Sequence, residues 1–246
     1  WFSMMFGAGI GVGMLTYSTA EPLAHFANNP DVIMGTTSAL ERENLAAAYK
    51  WTLLHYGLTP WGCYAIVGMS LAYFAYRRDM PLTIRSPFTA VLSPETARRV
   101  GAVVDAAAIL ATIIGIGVTI GYGVNQLTFG MHQITAWDWL VNNGKPSLTA
   151  LSLAVILLTL AAMLSALSGI GRGIRWLSNL NMALSWLLLL IFVIFGATVF
   201  AGEMFISGLT EYVRWLPAMS FTIWSGGDSE TSQALSDWQA AWNIFY

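Results

Sequence analysis

Apolar residues in this chain gather in long blocks rather than at every third or fourth position. Stretches nearly free of charge run over 4–20, 60–76, 106–124, 147–169 and 182–202. Each is close to the ~20 residues that a helix needs to cross ~30 Å of hydrocarbon. The pattern predicts five membrane-spanning helices at about 4–26, 58–77, 101–124, 147–169 and 182–203, all within one membrane domain, 1–246. A further span is expected to begin near 236. Between the blocks, 40–56 is helical by propensity and leads into the second span, with Pro60 near the membrane boundary. Segment 204–224 sets Trp215 and Trp224 among polar residues and reads as a helix on the outer surface, and 172–181 suits an interfacial helix on the other side. Asn142-Asn143-Gly144 and Gly226-Gly227-Asp228 are turn signals.

The basic residues orient this array. Arg77, Arg78, Arg85, Arg98, Arg99, Arg172 and Arg175 fall in two linkers on one side. The longer segments on the opposite side hold only Arg42, Lys50, Lys145 and Arg214. Positive residues accumulate on the cytoplasmic side, so the arginine-rich linkers are cytoplasmic and the first span runs outward.

Composition supports a polytopic membrane protein. Only 10% of residues are charged and 56% are apolar, where a soluble domain carries about a quarter charged. The net charge of −2 comes without a basic run, which argues against nucleic acid as a partner. Cys63, the single cysteine, lies inside a predicted span, so disulfides do not enter. The chain opens at Trp1 inside one hydrophobic stretch, without an initiator Met or signal-peptide pattern, and stops at Tyr246 inside another. It reads as a fragment of a longer protein.

The first span contains FGAGIGVGM, with Gly7, Gly9, Gly11 and Gly13 at every second position. Glycines at that spacing wrap around a helix and weaken it by about 1 kcal/mol each relative to Ala. A loosened backbone at membrane depth is tolerated where protein or a water-filled cavity satisfies it. The stretch is therefore either an unwound ligand or ion site, or a place of close helix packing. Glu21-Pro22 follows near the outer interface and suits a structural or gating role. Tyr56, Trp61 and Tyr64 stand where the second span begins, the last two a turn apart on one face. Such rings either bind a quaternary ammonium by cation–π attraction or form an interfacial aromatic belt. Thr112 and Thr119 could ligate Na⁺ or bond back to their own helix. Asp105 suits a helix N-cap or a cytoplasmic ion pair. His25, His55 and His132 show no metal spacing. No nucleophile–His–acid set, paired carboxylates or phosphate loop appears, so the chain is not expected to be an enzyme.

FGAGIGVGM…EPL, HYGLTPWGCYAIVGMSLAYFAYRRDMPLTIRS, VVD…LATIIGIGVTIG and GIRWLSNLNM together resemble the betaine/choline/carnitine transporter (BCCT) family, in order and spacing over nearly the whole chain. The resemblance implies an all-α membrane protein with the leucine-transporter-type inverted-repeat fold, here the first five-helix repeat plus the start of the second. It corresponds to the family's third helix through the start of its eighth.

The resemblance also implies a secondary active transporter that imports a small quaternary-ammonium osmolyte (glycine betaine, choline, carnitine or a related zwitterion). Import would proceed by alternating access coupled to a cation gradient, with Na⁺ or H⁺ as the coupling ion and no other cofactor. Substrate would be held by Trp61, Tyr64, Tyr56, Gly9, Gly11 and Gly13. Tyr56 stands where many members have Trp, and Ile10 replaces the Met of the usual G-M-G-x-G. The backbone at Gly7 and Ile10, and the Thr112 hydroxyl, would be candidate sodium ligands, with Ile116 in place of the partner of Thr112. The implied setting is a multi-pass homotrimer in the bacterial inner membrane. The alternatives are a transporter of the same fold for amino acids or another substrate class, or a substrate/product exchanger.

Overall fold

A computed structural model describes every residue except Ile10, Val91 and Tyr246, and, within helices, leaves the side chains of residues 8, 9, 12–15, 94 and 243–245 outside the description. The chain is mostly helical. In order come α1 (Phe2–Gly9), α2 (Val12–Ala27), α3 (Pro30–Ile33), α4 (Leu45–Tyr56), α5 (Leu58–Arg77), α6 (Ser86–Thr89) and α7 (Pro94–Thr135). A hairpin of β1 (Val141–Asn142) and β2 (Lys145–Pro146) precedes α8 (Leu148–Leu167), α9 (Arg175–Phe195), α10 (Thr198–Phe221) and α11 (Glu230–Phe245).

Among the described residues, three helices are long and apolar enough to cross a membrane: Glu95–Thr135, Leu148–Leu167 and Ile170–Phe195. Their apolar side chains are exposed over most of their length, which fits a hydrocarbon surround. The stretch expected as a single span over 4–26 is divided, because α1 stops at Gly9 and α2 starts at Val12. Helix α5 has twenty residues but mixes Pro60, Trp61, Tyr64, Tyr73 and Tyr76 among its aliphatic positions. Helix α7 extends beyond 101–124 at both ends and has 42 residues.

Around 170–224 the boundaries also move. Residues Ile170–Ile174 form a π turn that runs directly into α9, so 172–181 is not a separate helix. The Ser168 hydroxyl accepts the Gly173 N–H at 2.9 Å and helps to hold that turn. Helix α9 ends at Phe195 with Gly196 as its C-cap, and α10 already begins at Thr198, ahead of the expected 204.

Contacts divide the chain into two compact units, one of residues 1–16 and 106–196 and the other of residues 17–105 and 197–246. In the first, α1 packs on α9, with the Ser3 hydroxyl donating to Asn179 Oδ1 at 2.5 Å. The β1–β2 turn places Asn143 and Gly144 at φ of 51° and 73°, the left-handed pair that a two-residue hairpin needs. In the second unit, α4 and α10 form the main helix pair, joined closely because Gly208 leaves room for Tyr49. Its core is mostly aromatic: Trp51, Tyr212 and Trp238 are buried together with Met219.

Candidate functional site

Within the second unit, the aromatic residues singled out in the sequence sit at a sharp joint. Helix α4 ends at Tyr56 and α5 begins at Leu58, with Gly57 between them at φ −94° and ψ −139°. A Cβ on Gly57 would lie 2.5 Å from the Tyr212 hydroxyl and closer still to the Leu53 carbonyl, so only glycine fits. The Tyr212 hydroxyl accepts the Leu58 N–H at 2.7 Å and holds the start of α5. One turn on, the Trp61 and Tyr64 rings lie 5.7 Å apart between centroids at a 44° tilt. The Trp61 indole N–H donates to the Tyr56 carbonyl at 3.1 Å, which fixes the ring's direction. Trp61 and Tyr64 are 42% and 72% exposed, so their faces remain available. The joint brings the Trp61 and Tyr64 rings together, and Tyr56 joins them through its backbone carbonyl.

Behind the joint lies a polar cluster that spacing along the sequence does not assemble. Glu21 and His25 are 1% and 0% exposed on α2, and His55 reaches them from the last turn of α4. Glu21 Oε1 is 3.2 Å from His25 Nε2 and 2.5 Å from His55 Nδ1. Trp238 and Trp242 of α11 cover the imidazoles, with the Trp242 and His55 rings stacked at 5.1 Å. The expectation that the histidines are scattered without metal spacing is therefore corrected for two of them. His25 and His55 converge although far apart in sequence, with their ring centroids 5.5 Å apart. The available signal was Glu21 and His25 one helical turn apart, which puts both on one face. The third member is a tertiary contact that no spacing reveals.

The same unit explains the neighbouring buried amides. The Asn29 side chain accepts from the Asp31 and Val32 N–H groups at 2.8 and 3.1 Å, capping α3. It donates to Asn44 Oδ1 at 2.8 Å, and Asn44 Nδ2 in turn donates to the Phe26 carbonyl at 2.7 Å. On the arginine-rich segment, Arg85 Nε stands 3.3 Å from Asp105 Oδ2, so Asp105 serves as an ion-pair partner. It lies well inside α7 rather than at its N-cap.

In the first unit, Gly11 lies outside both α1 and α2. A Cβ there would meet Thr119 Cγ2 at 3.6 Å, so this backbone faces α7 closely. Gly7 rests against Ser178 and Asn181 of α9. Ile10 lies outside the described residues, and of Gly9 and Gly13 only the helical backbone is described. Thr112 donates to the Ala108 carbonyl at 2.7 Å and Thr119 to the Gly115 carbonyl at 2.9 Å, the back-bonded arrangement. Each hydroxyl oxygen keeps lone pairs for a further ligand.

Residues 1–246, the whole chain, match the family described as BCCT, betaine/carnitine/choline family transporter. The chain belongs to that family. Among BCCT relatives, it is 33% identical over 248 residues to the glycine betaine transporter OpuD of Bacillus subtilis (strain 168), covering 100% of this chain and 45% of OpuD. It is 35% identical to the osmo-dependent choline transporter BetT2 of Acinetobacter baylyi, covering 100% of this chain and 33% of BetT2. It is 34% identical to the high-affinity choline transport protein of Escherichia coli (strain K12), covering 100% of this chain and 34% of that protein. The BCCT chain thus spans between a third and less than half the length of these curated relatives. Its kinship is with membrane transporters and not with enzymes.

Proposed function

We propose that this chain is part of a secondary active transporter that imports a small quaternary-ammonium osmolyte, glycine betaine or choline in the first place. The observation that carries the reading is the tilted Trp61–Tyr64 pair, whose faces are exposed and whose Trp61 ring is tethered to the Tyr56 carbonyl. A permanent cation without a strong hydrogen-bond donor is recognised best by aromatic faces, each worth ~0.5–2 kcal/mol. The names of its BCCT relatives, betaine and choline transporters, point to the same chemistry.

The reading extends to the rest of the site. Tyr56 completes the aromatic group, and the backbone of Gly9, Gly11 and Gly13 supplies the polar part for the substrate. Gly7, Ile10 and Thr112 are the candidate ligands of a coupling Na⁺, with H⁺ as the alternative coupling ion. The fold proposed is the leucine-transporter-type inverted repeat, working by alternating access as a homotrimer in the inner membrane of a bacterium.

Uptake of radiolabelled glycine betaine and choline by the full-length protein tests the proposal. Trp61→Ala and Tyr64→Ala should each raise KM by about 2–30-fold, the equivalent of ~0.5–2 kcal/mol per ring. An unchanged KM in both variants overturns the site. Thr112→Val should shift the sodium activation curve, and a superimposable curve removes Thr112 from the ion site.

A further inference from the structure

We propose that Glu21, His25 and His55 form a binding site for a divalent cation of the zinc class. The donor set is one carboxylate and two imidazoles, each offering one ligand atom, and these atoms all lie within 4.8 Å of one another. Zinc accepts such a set of three protein ligands, with a water in the fourth position. Magnesium and calcium favour all-oxygen sites, so two nitrogens select against them.

Two of the three ligand spacings are within about 1 Å of what the ion requires. Ligand bonds of ~2.0–2.1 Å in a tetrahedron place ligand atoms roughly 3.3 Å apart. Glu21 Oε1 and His25 Nε2, at 3.2 Å, already have that spacing. The Glu21–His55 contact of 2.5 Å must open by less than about 1 Å. Use of the second carboxylate oxygen, or a small swing of His55, provides this. His55 is the least enclosed member, with its side chain 11% exposed against 0% for the other two.

His25 is 0% exposed, yet its Nδ1 has no hydrogen-bond partner among the described residues. Buried polar atoms in folded proteins are almost always paired, so this Nδ1, on the ring edge away from the ligand atom Nε2, is where a metal-bound imidazole would meet an outer partner such as a water. The walls also suit a metal centre. The His25 ring lies 4.6 Å from the Trp242 ring and 5.7 Å from the Trp238 ring, and Trp242 also stacks on His55, so both imidazole planes are held. The buried ammonium of the same unit, Lys50, is committed to Asp31 at 2.7 Å. An ion in this cluster would tie α2 to the end of α4, immediately before the Gly57 joint.

The test uses tag-free, full-length protein purified in detergent, stripped with a chelator and dialysed against zinc chloride. Zinc should be retained at one ion per chain by elemental mass spectrometry, and it should raise the thermal midpoint of wild type. His25→Ala and His55→Ala should each weaken retention about tenfold or more. Cobalt(II) loaded into wild type should show the intense visible bands of a tetrahedral nitrogen–oxygen site, a readout that does not depend on any variant folding. Retention by wild type no better than by the His25→Ala/His55→Ala double variant overturns the proposal. So does a cobalt spectrum with no tetrahedral bands.

Discussion

Lys50 Nζ stands 2.7 Å from Asp31 Oδ2, and the indole N–H of the next residue, Trp51, donates to the same oxygen at 2.6 Å. Two consecutive residues of α4 thus converge on one carboxylate of α3. The Lys50 and Asp31 side chains are only 9% and 18% exposed, so neither charge is well solvated without the other. Asp31→Ala should destabilise the full-length protein by about 3 kcal/mol, because it strands the ammonium. Thermal unfolding in detergent measures this, and adding Lys50→Met in the same background should restore part of the loss. Equal midpoints for the single and double variants would show that the stranded charge is not the cause.

The amide pair beneath it is equally constrained. Asn44 is fully buried; its amide donates to the Phe26 carbonyl at 2.7 Å, and its carbonyl oxygen accepts from Asn29 at 2.8 Å and Thr37 at 3.0 Å. Asn44→Ala leaves these groups unpaired and should cost about 2–3 kcal/mol. Asn44→Asp keeps the size but turns the donor into an oxygen that faces carbonyl oxygens, and should be no better tolerated. The check is the thermal midpoint of both variants beside wild type.

Gly57→Ala should be among the most damaging single-methyl additions in the chain. The new Cβ would overlap the Leu53 carbonyl, which is backbone and cannot turn aside, as well as the Tyr212 hydroxyl. Overpacking of this kind costs ~1–3 kcal/mol. Tyr212→Phe in the Gly57→Ala background should recover little, since the backbone clash persists. Full recovery, read from the same unfolding assay, would mean that the phenol alone, and not the Leu53 carbonyl, demands glycine at the joint.

Trp61→Phe separates the ring from its tether. The aromatic face stays, but the N–H that reaches the Tyr56 carbonyl at 3.1 Å is lost. A neutral hydrogen bond contributes about 1 kcal/mol, so KM for uptake should rise about fivefold, less than for a Trp61→Ala variant at the upper end of its range. A larger loss for Phe than for Ala would mean that the ring's direction is not what the tether sets.

The sequence revealed elements where local chemistry decided them. The alternating glycines coincide with the interruption between α1 and α2, and propensity over 40–56 located α4 (Leu45–Tyr56). Asn143-Gly144 made the hairpin turn, since both residues tolerate positive φ. Boundaries were lost where composition does not change with structure. Apolar residues continue across Gly196, so the end of α9 and the start of α10 leave no hydropathy signal. Helix α7 continues through polar residues at both ends, where hydropathy falls but the helix does not stop. At the site, Trp61 and Tyr64 were legible because a helical turn makes them neighbours. The link from His55 to Glu21 spans 34 residues and exists only through packing.

The hydroxyl of Tyr212 and the amide of Leu58 meet across 154 residues of sequence. This separation gives biosynthesis a definite order. Trp61 and Tyr64 leave the ribosome well before the phenol that sets the pitch of their helix has been made. At ~5–20 residues per second the interval is about 8–30 s, during which the nascent rings have a hinge without its latch. A message cut short between the codons for Tyr64 and Tyr212 therefore yields every residue of the aromatic group but not its alignment.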